Sequence, residues 1–329
     1  MQPTWGEGGI AFVTNRTEWR DNSWVMDLFV VDPYEAEPTL EQVTDGDILV
    51  RAPEWSPTGE QIAFVGGHPR NWYRPTEVYV ADPRGGSVES YTAALDRDIP
   101  FGGGPRWLDE ETLLSPIGDD GWTRLIRIFL DGEPERVLSG VGRDRTIEHV
   151  DVGGATIAVT VSDPRNGHEV FSISREGLDG GSGSDDDLTL DGESGLTGAF
   201  TQLSNFNEPI VEEYTMPAVR RVEYENGEGD PIEGIVYHPP EIDLADASLP
   251  LLVSIHGGPM SYDEPEFDVE NAFFVGKGYL VFQPNYRGSS SYGGEFAEQL
   301  RGTRGVLETD DVMSGVEHLA DLGWIDPER

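Results

Sequence analysis

A phrase that recurs along the first part of the chain constrains its fold more than any other feature. Pro3-Thr-Trp5 leads to Ile10-Ala-Phe-Val13, Pro53-Glu-Trp55 to Ile62-Ala-Phe-Val65, and Pro105-Arg-Trp107 to Leu113-Leu114. Each is followed by an alternating strand and an acidic turn: Leu28 to Asp32-Pro33, Val78 to Asp82-Pro83, and Leu125 to Asp131-Gly132. A fourth, worn copy has Thr156-Ile-Ala-Val-Thr160 and then Val170-Phe-Ser-Ile173. The period is roughly 45–50 residues with no helical pattern between copies, and the strands are short and bounded by Gly, Pro or Asp. Such a unit predicts a four-stranded antiparallel sheet. One sheet cannot bury both faces alone, so neighbours must stack about an axis. The prediction is an all-β propeller, partial and of about four blades, over residues 1–213. The tryptophan, a large flat side chain at a fixed strand position, is expected to fill the space between adjacent sheets. The first copy begins almost at Met1, which predicts that its opening strands lie upstream and that the chain is a piece of something longer.

The pattern changes at about Tyr214. Before it, Asp179 to Gly195 is a Gly/Ser/Asp tract too polar to pack, read as a solvated surface insertion near 179–195 without the spacing of a calcium loop. Beyond it, Val219–Tyr224 and Ile232–Tyr237 read as a hairpin across Asn226-Gly227. Leu251–Ile255 and Tyr279–Phe282 are continuous apolar runs, as expected of strands buried on both faces. A short helix is predicted around Val269 to Val275. A longer one is predicted from about Thr309 to Leu322, with Thr309 as N-cap and Asp310 and Asp311 as acids compensating the helix dipole. Strands alternating with helices predict a mostly parallel α/β sheet over residues 214–329.

Charge and composition exclude several function classes. Sixty-two acids against 22 bases give a net charge of −40, which opposes binding to nucleic-acid backbones or anionic membrane surfaces. The absence of cysteine excludes disulfides, thiol catalysis and Cys-ligated metals. No secretion signal and no apolar run long enough to cross a bilayer are visible, so a cytoplasmic protein is expected. The acids are spread along the chain, and all the bases but Lys277 are arginine. This suits a halophilic protein whose self-repulsion is screened at molar salt, where the Debye length falls to about 3 Å. Its melting temperature is expected to rise from dilute buffer to molar KCl; an unchanged value would refute this reading.

Two motifs carry candidate chemistry. His256-Gly257-Gly258-Pro259 leaves the first apolar strand, and two glycines allow a sharp turn with free N–H groups, as an oxyanion site requires. Asn285-Tyr286-Arg287-Gly288-Ser289-Ser290-Ser291-Tyr292-Gly293 leaves the next strand. Together with Asp326-Pro327-Glu328-Arg329, these motifs resemble the prolyl oligopeptidase family of serine peptidases, and within it the acylaminoacyl-peptidase branch. The resemblance implies a β-propeller followed by an α/β-hydrolase domain, here incomplete, and an activity on short peptides or acyl-peptides by Ser-His-Asp acyl transfer. No metal or organic cofactor is implied.

In α/β-hydrolases the nucleophile sits in G-x-S-x-G, followed in the chain by Asp and then His. The resemblance places all three beyond Arg329, so no catalytic residue is expected here and the chain alone is expected to be inactive. A separately encoded C-terminal half is the expected partner. Ser291 and Ser194 are poor substitutes: Ser289 stands where the elbow before Ser291 needs glycine, and Ser194 lies in the polar tract. By resemblance His256, Gly257 and Gly258 line the oxyanion site, with the Gly258 N–H the expected donor. Tyr286 and Arg287 join them as binding residues, and Arg287 is expected to pair with a carboxylate that holds its loop. His68, His149 and His168 are expected to be structural or solvated, and His238 and His318 to lie at the surface. Two alternatives stay open: a non-catalytic propeller that binds peptides or proteins, and a carboxylesterase of the same superfamily.

Overall fold

The computed structural model describes residues 3–18, 20–137, 145–179, 200–258 and 260–328. Pro259, Ser194, Arg329 and all but the first residue of the polar 179–195 tract lie outside the described residues.

Four four-stranded antiparallel sheets follow one another along the chain, each with its strands in sequence order. The first contains Thr4–Gly6, Gly9–Thr14, Asp27–Val31 and Leu40–Gln42, and the second Leu49–Trp55, Ile62–Gly67, Glu77–Ala81 and Val88–Ser90. The third runs from Arg106–Trp107 to Glu135–Val137, and the fourth from Thr146–Gly153 to Phe200–Gln202. The repeated phrase keeps its register, since Trp5 pairs with Ile10, Trp55 with Ile62 and Trp107 with Leu113. All four strands of the first sheet are present from Thr4 onward, so the expectation that its opening strands lie upstream does not hold.

Consecutive sheets bury their faces on each other. One apolar cluster joins the first and second sheets through Val13, Leu28, Trp55 and Phe64, a second joins the second and third, and a third joins the third and fourth. Trp55 is 6% exposed, and Gly6 lies flat against its indole: a Cβ there would stand 2.5 Å from the ring. Trp107 is equally buried and donates its Nε1–H to the Glu54 carbonyl of the preceding sheet at 3.1 Å. Trp5 has no preceding sheet among the described residues and is 61% exposed. The tryptophan therefore fills the gap on the side of the preceding sheet.

A short helix, Glu208–Glu213, leads to a fifth sheet in the order Ala218–Glu225, Pro231–His238, Leu280–Asn285 and Leu251–Val253. Only the Leu251–Val253 pairing with Leu280–Asn285 is parallel, and the other two pairings are antiparallel. The mostly parallel expectation is thus corrected among the described residues: the hairpin contributes half the sheet. Leu251–Val253 is only half-buried and Ile255 is exposed, so this run is not covered on both faces as expected. Leu280–Asn285 is buried throughout. Past the strand edge, Leu249 bridges Ile325 in parallel.

The helices are Val269–Gly276, capped by the Asp268 carboxylate, Gly294–Glu298 and Leu307–Asp321. The last starts two residues before the expected Thr309, with Val306 at the cap position. It covers one face of the sheet through Val316, Leu319 and Ala320, against Tyr224 and Phe282. No helix among the described residues is long and apolar enough to cross a membrane.

Candidate functional site

The run from Asn285 to Gly293 leaves the most buried strand of the fifth sheet and spends nearly every residue on holding a different neighbour. Asn285 exchanges two hydrogen bonds with the Asp263 backbone, accepting from its N–H at 2.8 Å and donating to its carbonyl at 2.9 Å. The Tyr286 hydroxyl donates to the His256 carbonyl at 2.7 Å, and its ring stacks on the imidazole at 4.5 Å. Burial pushes the Tyr286 phenol up to about 12, which keeps it a donor.

The Ser289 hydroxyl donates to the Tyr286 carbonyl at 2.6 Å and meets His256 Nε2 at 2.9 Å. The Ser290 N–H reaches Ser261 at 3.0 Å. Ser291, at a positive φ of 75°, accepts from the Asp120 and Gly121 N–H groups of the third sheet through its carbonyl and hydroxyl.

Arg287 is the deepest of these anchors. It is 1% exposed and Asp311 is wholly buried. Its backbone N–H and Nε donate to Asp311 at 2.7 and 2.9 Å, and one terminal nitrogen pairs with the same carboxylate at 2.7 Å. Glu228, Asp230 and Asp310 complete its surroundings. Burial alone would loosen the guanidinium proton, but Asp311 and Glu228 outweigh it and hold the group firmly cationic. The expected carboxylate partner is therefore Asp311, reached across 24 residues of sequence.

This geometry corrects two expectations. Asp310 lies in the first turn of its helix as expected and also reaches Arg287, whereas Asp311 is the buried ion-pair partner of Arg287 and not a plain dipole-compensating acid. Arg287, being fully buried, lies out of reach of any ligand and acts by positioning. Tyr286, 4% exposed, does the same for the turn at His256.

That turn is the exposed end of the assembly. Gly257 and Gly258 are open to solvent, and no acceptor among the described residues takes either N–H. Gly258 has φ +124°, and a Cβ there would stand 2.7 Å from the Met260 nitrogen, so only glycine fits. Its carbonyl is held by Arg304 at 3.3 Å, which leaves the N–H as the free group.

Burial lowers the His256 pKa and keeps the ring neutral. The Ser289 proton goes to the Tyr286 carbonyl, and the two ring nitrogens of His256 are both occupied, Nε2 by the Ser289 hydroxyl at 2.9 Å and Nδ1 by the Gly257 carbonyl at 3.2 Å. The imidazole is committed and is not a free base. Ser289 is wholly buried and serves as a strut, not a nucleophile. Sequence reading missed it because its motif looks like chemistry from the outside. Ser291 is also fully buried, with no imidazole among its partners.

Beside the turn lies a cavity of about 630 Å³. Met260, Ser261, Tyr262, Glu264 and Ser290 line one side, and Trp24, Arg51, Trp72, Asp98, Thr123 and Glu148 bring in all four preceding sheets and their loops. Thr123 joins the two sides. Its N–H donates to Glu264 at 2.7 Å, and its hydroxyl meets Tyr262 at 2.6 Å and Glu264 at 3.0 Å.

Burial, reinforced by Glu266 and Glu148 and opposed by Thr123, pushes Glu264 up to about 8. Glu266 and Asp263 are likewise pushed up to about 7. An acid whose folded pKa is raised contributes stability that is present below its unfolded value, about 4.5, and lost as pH rises through about 8. Glu264→Gln is therefore expected to melt with a shallower decline than the parent between pH 5 and 9. Parallel declines would show that this group does not titrate as its surroundings dictate.

Of the remaining histidines, His68 borders the cavity and His149 is exposed. His168 pairs with Glu148 at 2.7 Å. Together with Glu266 they form a set whose ligand atoms lie within 4.8 Å of one another, the one group of metal-binding donor types among the described residues. His238, expected at the surface, is 5% exposed and bonded to the Pro239 carbonyl. His318, expected there too, is half-buried against the Tyr224 ring.

Residues 265–329, which hold the second motif and the helix that anchors Arg287, match the prolyl oligopeptidase family. The likeness is carried by this C-terminal segment of the chain. Among relatives, the Bacillus subtilis "Uncharacterized peptidase YuxL" is 35% identical over 130 residues, 39% of this chain and 20% of that protein. The dipeptidyl-peptidase 5 of Aspergillus oryzae is 25% identical over 280 residues, 82% of this chain and 34% of that protein. The acylaminoacyl peptidase of Pyrococcus horikoshii superposes with a TM-score of 0.76 at 19% identity, covering all of this chain and 47% of that one. A puromycin hydrolase structure superposes at 0.68 with 20% identity, over 99% of this chain and 47% of that one. These likenesses establish the shared propeller-plus-hydrolase fold. The chain spans between a fifth and about a third of these curated relatives' length.

Proposed function

We propose that these residues form the substrate cavity and the anion-binding turn of a serine peptidase that cleaves short peptides or acyl-peptides by acyl transfer. In this reading residues 1–213 are about four propeller blades and residues 214–329 the first part of the hydrolase domain. The observation that carries it is the His256–Gly258 turn, whose two free N–H groups stand in the chain just before Met260 and Ser261, which line a cavity walled by strands and loops of all four preceding sheets. Fixed donors of this kind stabilise the negative charge that develops on a carbonyl oxygen during acyl transfer, typically by about 3–4 kcal/mol each.

The supporting residues fit that task. Tyr286 fixes the carbonyl of His256, Ser289 fixes its ring, and Arg304 fixes the far side of Gly258, so the donors are ordered before a ligand arrives. The sheets' loops would admit a peptide and turn away a folded protein. The names of relatives and structural neighbours, which include a dipeptidyl-peptidase and acylaminoacyl peptidases, support the same class.

No serine within the described residues sits exposed beside a free imidazole, so the nucleophile, base and orienting acid are assigned to sequence outside these residues. A blocked tripeptide is expected to raise the melting temperature of this chain by mass action, without being hydrolysed. Hydrolysis by the chain alone, or no shift with any short peptide at millimolar concentration, would contradict the proposal.

A further inference from the structure

The cavity wall holds a cation that nothing in the fold explains. Among the described residues, two arginines line it. Arg51 spends both terminal nitrogens on the carbonyls of Gly103 and Ile99, at 2.8 and 2.6 Å. Arg74 is exposed to the cavity, and among the described residues its guanidinium has neither an ion-pair nor a hydrogen-bond partner. In a chain with 62 acids and 22 bases, an arginine left unpaired on a concave wall is conspicuous.

The carboxylates of the same wall are all engaged. Asp98 accepts from the Thr76 N–H at 2.8 Å, Glu148 pairs with His168, and Glu264 accepts from Thr123. A ligand ammonium would find no unengaged carboxylate there, whereas a ligand carboxylate finds a free guanidinium fork that matches its geometry.

A second feature lies on the same wall. Trp24 and Trp72 are 63% and 59% exposed and meet edge to face at 4.8 Å. Each thus leaves aromatic surface uncovered two residues or one sheet away from Arg74. Exposed aromatic surface inside a concavity is the usual footing for an apolar or aromatic ligand group. The loop bearing Trp72 and Arg74 is itself fixed from the other side of the molecule, with Arg301 bonded to Asn71 and lying over the Tyr73 ring at 5.4 Å.

We propose that the cavity recognises short peptides by their free C-terminal carboxylate, held by Arg74, with an aromatic or bulky apolar side chain against the Trp24–Trp72 pair. This deepens the peptidase reading and rests on it, since it names which end of the peptide the cavity takes. It also makes an acylated N-terminus compatible with binding, because the amine is not the group recognised.

The test compares N-acetyl-Gly-Gly-Phe with its C-terminal amide on the full chain, by calorimetry and by quenching of tryptophan fluorescence. The free acid is expected to bind at least about tenfold more tightly. Arg74→Gln is expected to abolish that preference without altering the melting temperature. Trp72→Ala is expected to weaken both peptides and to erase the preference for Phe over Ala at the last position. Equal affinity for acid and amide, or an unchanged preference in Arg74→Gln, overturns the assignment to Arg74 while leaving peptide binding intact. Failure of both peptides to bind overturns the assignment and the peptide reading together.

Discussion

Replacing Arg287 with Met is expected to destabilise the chain by about 3–5 kcal/mol, the usual consequence of leaving one partner of a buried ion pair unmatched. Asp311 is wholly buried, and without the guanidinium its carboxylate keeps, among the described residues, only the Asn226 side chain and the residue 287 N–H as donors. The loss should appear in denaturant unfolding as a lower midpoint. It should be accompanied by weaker peptide binding, because the same loop holds Tyr286 and Ser289 against the His256 turn. Arg287→Lys is expected to recover only part of the stability, since an ammonium cannot reproduce the fork on Asp311. A change below about 1 kcal/mol in Arg287→Met would mean that the buried network is not what fixes the turn.

Trp55→Ala should be nearly as damaging, at about 3–5 kcal/mol, because it opens a cavity between the first and second sheets. The indole is 6% exposed and covered by Gly6 and Gly8, whose missing side chains leave nothing able to collapse into the space. The repeat supplies its own control. Trp5 holds the equivalent strand position but is 61% exposed, so Trp5→Ala should cost less than about 1 kcal/mol. Equal losses at the two positions would deny the tryptophan its role between sheets.

The repeating half was legible because repetition averages out local ambiguity. Three copies of one phrase placed the strands, their register and the tryptophan gap-filler. The single-copy features were harder to read. Asp311 looks like a first-turn acid to any rule that sees only its own helix, yet its partner arrives from a loop 24 residues earlier. His238 stands before two prolines at a strand end, a pattern typical of the surface, but the fold covers it to 5% exposure. The Leu251–Ile255 run is as apolar as a central strand while only half-covered among the described residues, since apolarity reports what a strand can bury and not what is there to cover it.

The Asn285–Gly293 motif shows the same limit from the other direction. Its unusual composition drew attention as chemistry, and His256 and the two glycines do form an exposed turn with free donors. Most of the motif instead works behind that turn. Tyr286, Arg287, Ser289 and Ser291 are buried and each holds a different segment in place. Spacing along the chain cannot separate a residue that meets a ligand from one that positions its neighbour, because both are rigidly specified. Arg74 was invisible for a related reason, since only the pairing of every other charge on the cavity wall sets it apart.

The central claim is that this chain holds a prepared anion-binding turn and its cavity but not the attacking serine. Incubation of the purified chain with a fluorophosphonate probe tests it most directly, with the attached mass read by intact-protein mass spectrometry. The account predicts that the mass stays unchanged after prolonged exposure. One phosphonyl group per chain, on Ser289, Ser291 or any other serine, would contradict it.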